Sequence, residues 1–179
     1  MRADARRNRE QIVAAALALF AKHGSCVSME EIAAEAGVGV GTIYRRFPDR
    51  TSLLTEITIS TLRILLADTE LSATEEPSSE ARLIRYIQTC SGSPLALLKT
   101  VGDLDDPEFI ETRDALNEQL LSIITGGQAE GTIRTDIVPV EIVQLISTAV
   151  CRPGARPDDP LTVVLLDGLR VPGTGSGHR

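Results

Sequence analysis

Apolar residues recur at helical spacing along most of the chain, and no stretch of useful length alternates as a half-buried strand would. Over residues 6–23, Ile12, Val13, Ala16, Leu17, Leu19 and Phe20 fall on one broad face at spacings of three and four. Gly24 is placed to stop this helix. Ser28, with Glu31 three residues later, is a capping-box pattern that opens a short helix, and Gly37 ends it. A third short helix is expected at roughly 40–46, closed by Pro48, and Asp49 is placed to cap a long fourth through RTSLLTEITISTLRILLADTE. The polar run SATEEPSSE, near residues 72–80, reads as a linker. Beyond it EARLIRYIQTC reads as a fifth helix, SPLALLKTVG as a sixth with Pro94 in its first turn, and DPEFIETRDALNEQLLSIITGGQAEG as a long seventh. The Gly126-Gly127 pair costs about 2 kcal/mol inside a helix relative to alanine, which predicts a kink or break. PVEIVQLISTAVC and DPLTVVLLDGLR, an eighth and a ninth helix, flank the breaker-rich loop RPGARPDD, and the tail VPGTGSGHR is expected to be disordered. The fold class is therefore all-α, with about nine helices.

Composition narrows the function. Hydrophobic residues make up 42% of the 179, enough for a packed core, but aromatics are only 3%, so Leu, Ile, Val and Ala must build it. There is neither an apolar run long enough to span a membrane nor a signal-peptide pattern, and a cytoplasmic location is expected. The cysteines, Cys26, Cys90 and Cys151, have no C-x-x-C spacing, and His23 and His178 are the only histidines. No metal site and no cofactor are expected, and Cys26, where the first two helices meet, reads as buried filler. Net charge is −7, which argues against a protein that coats nucleic acid wholesale. Its distribution is uneven: residues 1–50 hold eight Lys/Arg against six Asp/Glu, the remainder ten against nineteen. A basic head on an acidic body places any nucleic-acid contact on the head.

Residues 28–50 carry the chemistry. Ala33, Gly37 four later and Ile43 six after that have the spacing of a helix-turn-helix: a small residue at the crossing, a left-handed turn and an apolar residue facing into the corner. Ile32 and Val38 complete the small core. The second helix then turns Val40, Gly41, Thr42, Tyr44, Arg45 and Arg46 outward. Arginines donate to phosphates and guanine edges, Tyr and Thr hydroxyls reach phosphate oxygens, and Gly39 and Gly41 let the helix start approach a groove. Backbone N–H groups at the helix starts near Ser28, Gly39 and Arg50 point the same way. Arg6, Arg7 and Arg9 are either a basic arm or a frayed, solvated terminus. The glycines do not form a nucleotide-binding loop, since no strand precedes them and the required lysine is absent.

IVAAALALFAKHG (12–24), SMEEIAAEAGVGVGTIYRRF (28–47) and PDRTSLL (48–54) together resemble the TetR family of transcriptional regulators. The resemblance implies a DNA-binding helix-turn-helix domain over 1–48, a helical ligand-binding and dimerisation domain over 49–170, and a tail over 171–179. The family commonly has Ser and Lys or Arg where this chain has Gly39 and Val40. Thr42 and Tyr44 match frequent phosphate contacts, and Arg50 matches a usual Lys. The expected partners are a double-stranded DNA operator, a small-molecule effector and a second copy of the chain. Tyr86, Thr89, Cys90, Leu97, Phe109 and Arg113 are candidates for lining the effector pocket. The last two helices are apolar around most of their circumference, which suggests a second buried surface, and Ile142, Val143, Ile146, Val150, Val163 and Leu166 are the candidate dimer residues. No catalytic constellation is present, so an enzyme is not expected. The rival reading is a helical small-molecule-binding protein or enzyme whose DNA-binding head is vestigial.

Overall fold

The computed structural model describes residues 2–23, 26–91, 93, 104–152 and 154–171, with side chains from Arg7 onward except at Ala21. Among these residues lie eight helices: α1 (Arg2–His23), α2 (Met29–Glu35), α3 (Val40–Arg46), α4 (Arg50–Glu75), α5 (Ser79–Ser91), α6 (Pro107–Ala129), α7 (Pro139–Val150) and α8 (Pro160–Leu169). The expected helix SPLALLKTVG with Pro94, the stop at Gly24 and the tail beyond Val171 lie outside the described residues. The linker expected at 72–80 contracts to 76–78, because α4 continues to Glu75 and α5 begins at Ser79.

Local signals set the helix ends. The Ser28 hydroxyl accepts from Glu31 N–H at 3.1 Å, and the Glu31 carboxylate accepts from Ser28 N–H at 2.7 Å. Asp49 accepts from Ser52 N–H at 2.7 Å, and Asp106 caps α6 through Glu108 and Phe109 N–H, both at 3.0 Å. Each satisfies donors that an α-helix leaves unpaired at its start.

Two apolar cores form. Ile12, Ala16, Phe20, Ile32, Ile43 and Phe47 pack with Leu53, Leu54 and Ile57 in one; the other joins Leu62, Leu65, Leu83, Ile87, Leu120 and Ile123 to Ile142 and Ile146. Helix α4 contributes to both, so the first core extends past residue 48 into α4. Beneath α4, Arg85 of α5 binds Asp68 through Nε and Nη2 at 3.1 and 2.6 Å, and Glu75 through Nη1 at 2.6 Å.

The glycine pair at 126–127 does not break α6, which runs on to Ala129. Close packing accounts for it. A Cβ on Gly126 would stand 2.5 Å from Ser79 Oγ, and one on Gly127 would stand 2.7 Å from Ile133 Cγ1. The chain turns back there through Gly131 at φ 72°, and the Gly127 carbonyl accepts from Thr132 and Ile133 N–H at 2.9 and 3.1 Å. Arg134 N–H then donates to Leu169 O and Val171 N–H to Thr132 O, tying the end of α8 to this turn.

The expected dimer residues divide. Ile142, Ile146 and Val150 are buried in the chain's own core, because their spacing of four turns one stripe of α7 inward. Val143 and Leu166 are half-buried against the same core, and Val163 is exposed. Besides Val163, the large apolar side chains of α7 and α8 left in solvent are Val140, Leu145, Leu161 and Val164, the last 66% exposed.

Two stability outcomes follow. Gly127→Ala, which would gain helix propensity in an open site, instead overpacks Ile133 and lowers unfolding free energy by about 1–3 kcal/mol; an unchanged denaturation midpoint would contradict the packing described. Asp159 caps α8 and is held well below the ordinary carboxylate range, first by Arg156 N–H and then by Thr162 N–H, with Arg152 alongside. A depressed native pKa contributes stability above the unfolded value, about 4, and loses it as pH falls toward the native one. The stability difference between wild type and Asp159→Asn therefore shrinks below about pH 4 in denaturation series, and a difference that grew on acidification would contradict the assignment.

Candidate nucleic-acid interface

The corner between α2 and α3 is built by very few residues. Gly37 turns the chain at φ 65°, a left-handed conformation that costs glycine nothing, and Val38 N–H returns to Ala33 O at 3.0 Å. Ala33 and Ile43, 1% and 0% exposed, meet inside it, and Val38 packs alongside. Helix α3 has seven residues, of which Ile43 alone is buried. A helix this short does not persist in water unaided, so its place is set by Ile43 and by Phe47 at its C-terminal end, where Phe47 N–H donates to Ile43 O at 2.8 Å.

Everything else on α3 faces outward. Val40, Gly41, Tyr44, Arg45 and Arg46 are exposed and Thr42 is half-buried. Tyr44 is 44% exposed, so the phenol is not core filler. Gly39 precedes the helix at φ −69°, ψ 146° with no side-chain cap. A Cβ on Gly41 would meet nothing within 4 Å, and one on Gly39 only Thr42 Oγ1 at 4.0 Å. The protein's own packing therefore does not require these glycines; what they leave is bare backbone on the outer side of the helix start.

Other expected residues are placed differently. Ser28 is half-buried, and its hydroxyl is engaged in the cap of α2. The bond from Ser28 N–H holds the Glu31 carboxyl below its ordinary range. The Arg50 side chain turns into the head: it donates to the Val27 carbonyl, and its guanidinium lies 5.7 Å from the centre of the Phe20 ring. Arg9, exposed like Arg7, nonetheless reaches Glu56 and the Phe47 ring. Sequence reasoning missed both arginine–phenylalanine contacts; the signal available was a phenylalanine in each neighbouring segment.

Cys26 is exposed rather than buried. It lies between α1 and α2, and Val27, 4% exposed, takes the core place beside it. The thiol opens onto a groove of about 460 Å³ lined by Leu19, His23, Val27, Glu31, Ala34 and Glu35.

In the body, Tyr86, Cys90 and Phe109 come together in the second core. Burial pushes the Tyr86 and Cys90 groups well above their ordinary values. Thr89 donates to Asp68 at 3.2 Å, and Arg113 is exposed, paired with Asp114 and 5.6 Å from the Phe109 ring centre. Leu97 lies outside the described residues. A void of about 10 Å³ between Leu83, Ile84, Ile133 and Leu169 is no larger than a water molecule.

Comparison with known proteins follows this division between head and body. The sequence profile described as "Bacterial regulatory proteins, tetR family" matches residues 12–57. An HTH-type transcriptional regulator of Staphylococcus aureus is 46% identical over 54 residues, which is 30% of this chain and 29% of that protein. The match thus spans less than a third of the curated relative. Over the whole fold, a TetR transcription regulatory protein from Mycobacterium vanbaalenii superposes with a TM-score of 0.64 at 29% identity, covering 95% of this chain and 99% of that one. A TetR transcriptional regulator from Streptomyces coelicolor superposes at 0.60 with 30% identity, covering 90% and 98%. With the corner at Gly37, the exposed helix behind it and near-full-length similarity to solved regulators, the chain belongs to the TetR family of bacterial regulatory proteins.

Proposed function

We propose that this chain is a ligand-responsive repressor that binds a near-palindromic DNA operator as a dimer and is released by a small molecule. One observation carries the reading: α3 buries a single residue and turns Val40, Gly41, Tyr44, Arg45 and Arg46 to solvent at the basic end of an acidic protein. Arg45 and Arg46 supply donors for phosphates and guanine edges, and the Tyr44 hydroxyl reaches a phosphate. Glycine at 39 and 41 leaves the backbone free to approach the groove. Val40, in place of the family's usual Lys or Arg, offers an apolar contact of the kind a thymine methyl takes. Arg50 contributes by fixing the start of α4.

The head over 1–48 and the body over 49–170 communicate through α4. That helix, 26 residues and so about 39 Å long, packs in both cores without a break. An effector held in the body that favours one position of α4 thereby favours one spacing of two heads, and needs only differential affinity for the two spacings. The dimer is formed by the exposed apolar residues of α7 and α8, Val140, Leu145, Leu161, Val163 and Val164.

Gly41→Ala separates fold from function. It fills empty space in a helix, so it raises unfolding free energy by up to about 1 kcal/mol. In a gel shift with a duplex that the wild type selects from a random pool, the same variant loses affinity because its methyl stands between helix and groove. Unchanged affinity, or no selected duplex at any salt concentration with folded protein present, would sink the proposal. Leu145→Glu moves the sedimentation profile toward monomer while leaving the helical circular dichroism intact; a profile still dimeric would remove Leu145 from the interface.

A further inference from the structure

Arginine and phenylalanine are exchanged between α1 and the corner that joins α3 to α4. From α1, Arg9 reaches the corner: its guanidinium carbon stands 5.8 Å from the centre of the Phe47 ring, and Nη2 pairs with Oε2 of Glu56 on α4. In the opposite sense Arg50, the first residue of α4, lies over Phe20 of α1. Both rings are buried, Phe47 at 3% and Phe20 at 4% exposure.

The corner comprises Phe47, Pro48 and Asp49, and leaves helical geometry at Phe47 (φ −128°, ψ 94°) and Asp49 (φ −143°, ψ 171°). Its angle decides how α3 projects from α4. Arg9 touches both sides of that angle, the ring that ends α3 and a carboxylate on the second turn of α4. A guanidinium suits the place because its flat face lies against a ring while its edge donates to a carboxylate. The Glu56 side chain is 18% exposed and that of Arg9 53%, so the carboxylate is partly withdrawn from solvent while the guanidinium is not.

We infer that Arg9 is a positioning residue for DNA binding: it sets the angle of α3 on α4 through Phe47 and Glu56, and is not a phosphate contact of a flexible basic arm. The inference rests on α3 being the docking helix and adds to it a residue from α1. The alternative role predicts different behaviour. A phosphate-binding arginine contributes equally on any sequence, and its loss lowers the salt slope by about one. A positioning arginine contributes only where α3 must fit.

The wild type first selects a duplex from a random pool. Arg9→Gln, Arg9→Glu and Arg9→Glu/Glu56→Arg are then titrated against that duplex and a scrambled one across a salt series. Positioning predicts that Arg9→Gln loses roughly tenfold on the selected duplex, a loss within the range of contact-pair coupling, and nothing on the scrambled one, with the salt slope unchanged. It also predicts that Glu56→Arg recovers part of what Arg9→Glu removes. Equal losses on both duplexes with a shallower slope, or a double variant no better than Arg9→Glu, overturn the inference. These outcomes arise with a wild type that binds; a wild type that selects no duplex defeats the docking reading itself, and this inference with it.

Discussion

Helix α4 buries Leu53, Leu54 and Ile57 against the head and Ile59, Leu62 and Leu65 against the body, with no break between them. That sharing is the constraint on which the rest depends. In the head α2 and α3 are seven residues each and α3 buries only Ile43, so the core begun by α1 and α2 is completed by Leu53, Leu54 and Ile57 of α4. Without the first turns of α4 to close it, the corner around Ala33, Gly37 and Ile43 would lack a floor. Its orientation is therefore inherited from α4, and the arginine–phenylalanine contacts at Arg9–Phe47 and Arg50–Phe20 fasten the junction from both sides. In the body, the same helix is gripped through Asp68 by Arg85 and Thr89, so the position of α4 is recorded at both ends.

What could be read from the sequence was what is decided locally. The caps at Ser28 and Asp49 need only residues within four positions of each other, and each formed as its spacing indicated. The left-handed turn at Gly37 and the inward Ile43 are likewise properties of one short segment. The exposed face of α3 followed in part, since fixing Ile43 inward fixes Tyr44 and Arg45 outward by helical geometry; Arg46, three residues on, is exposed at the last position of the helix.

What could not be read depends on the element across the way. Two adjacent glycines signal a broken helix unless Ser79 and Ile133 are known to crowd them. The width of the apolar surface on α7 was legible, but not which stripe faces the chain's own core; Ile142, Ile146 and Val150 face in, and Leu145 faces out. The rings under Arg50 and Arg9 could not be read, because charge is visible in a sequence and a facing ring is not. Cys26 was expected in the core, yet the turn between α1 and α2 gives that place to Val27. The acidic surplus lies in the body, which leaves α3 and its two arginines as the part suited to meet a polyanion.

The central claim is that a pair of such heads docks α3 into successive grooves of one duplex. Hydroxyl-radical footprinting of the wild-type chain on its selected duplex tests this most directly. The account predicts two protected stretches on the same face of the DNA, their centres about one helical turn (roughly 34–36 Å) or a whole multiple apart. A single stretch, or even protection along the whole duplex, would contradict it.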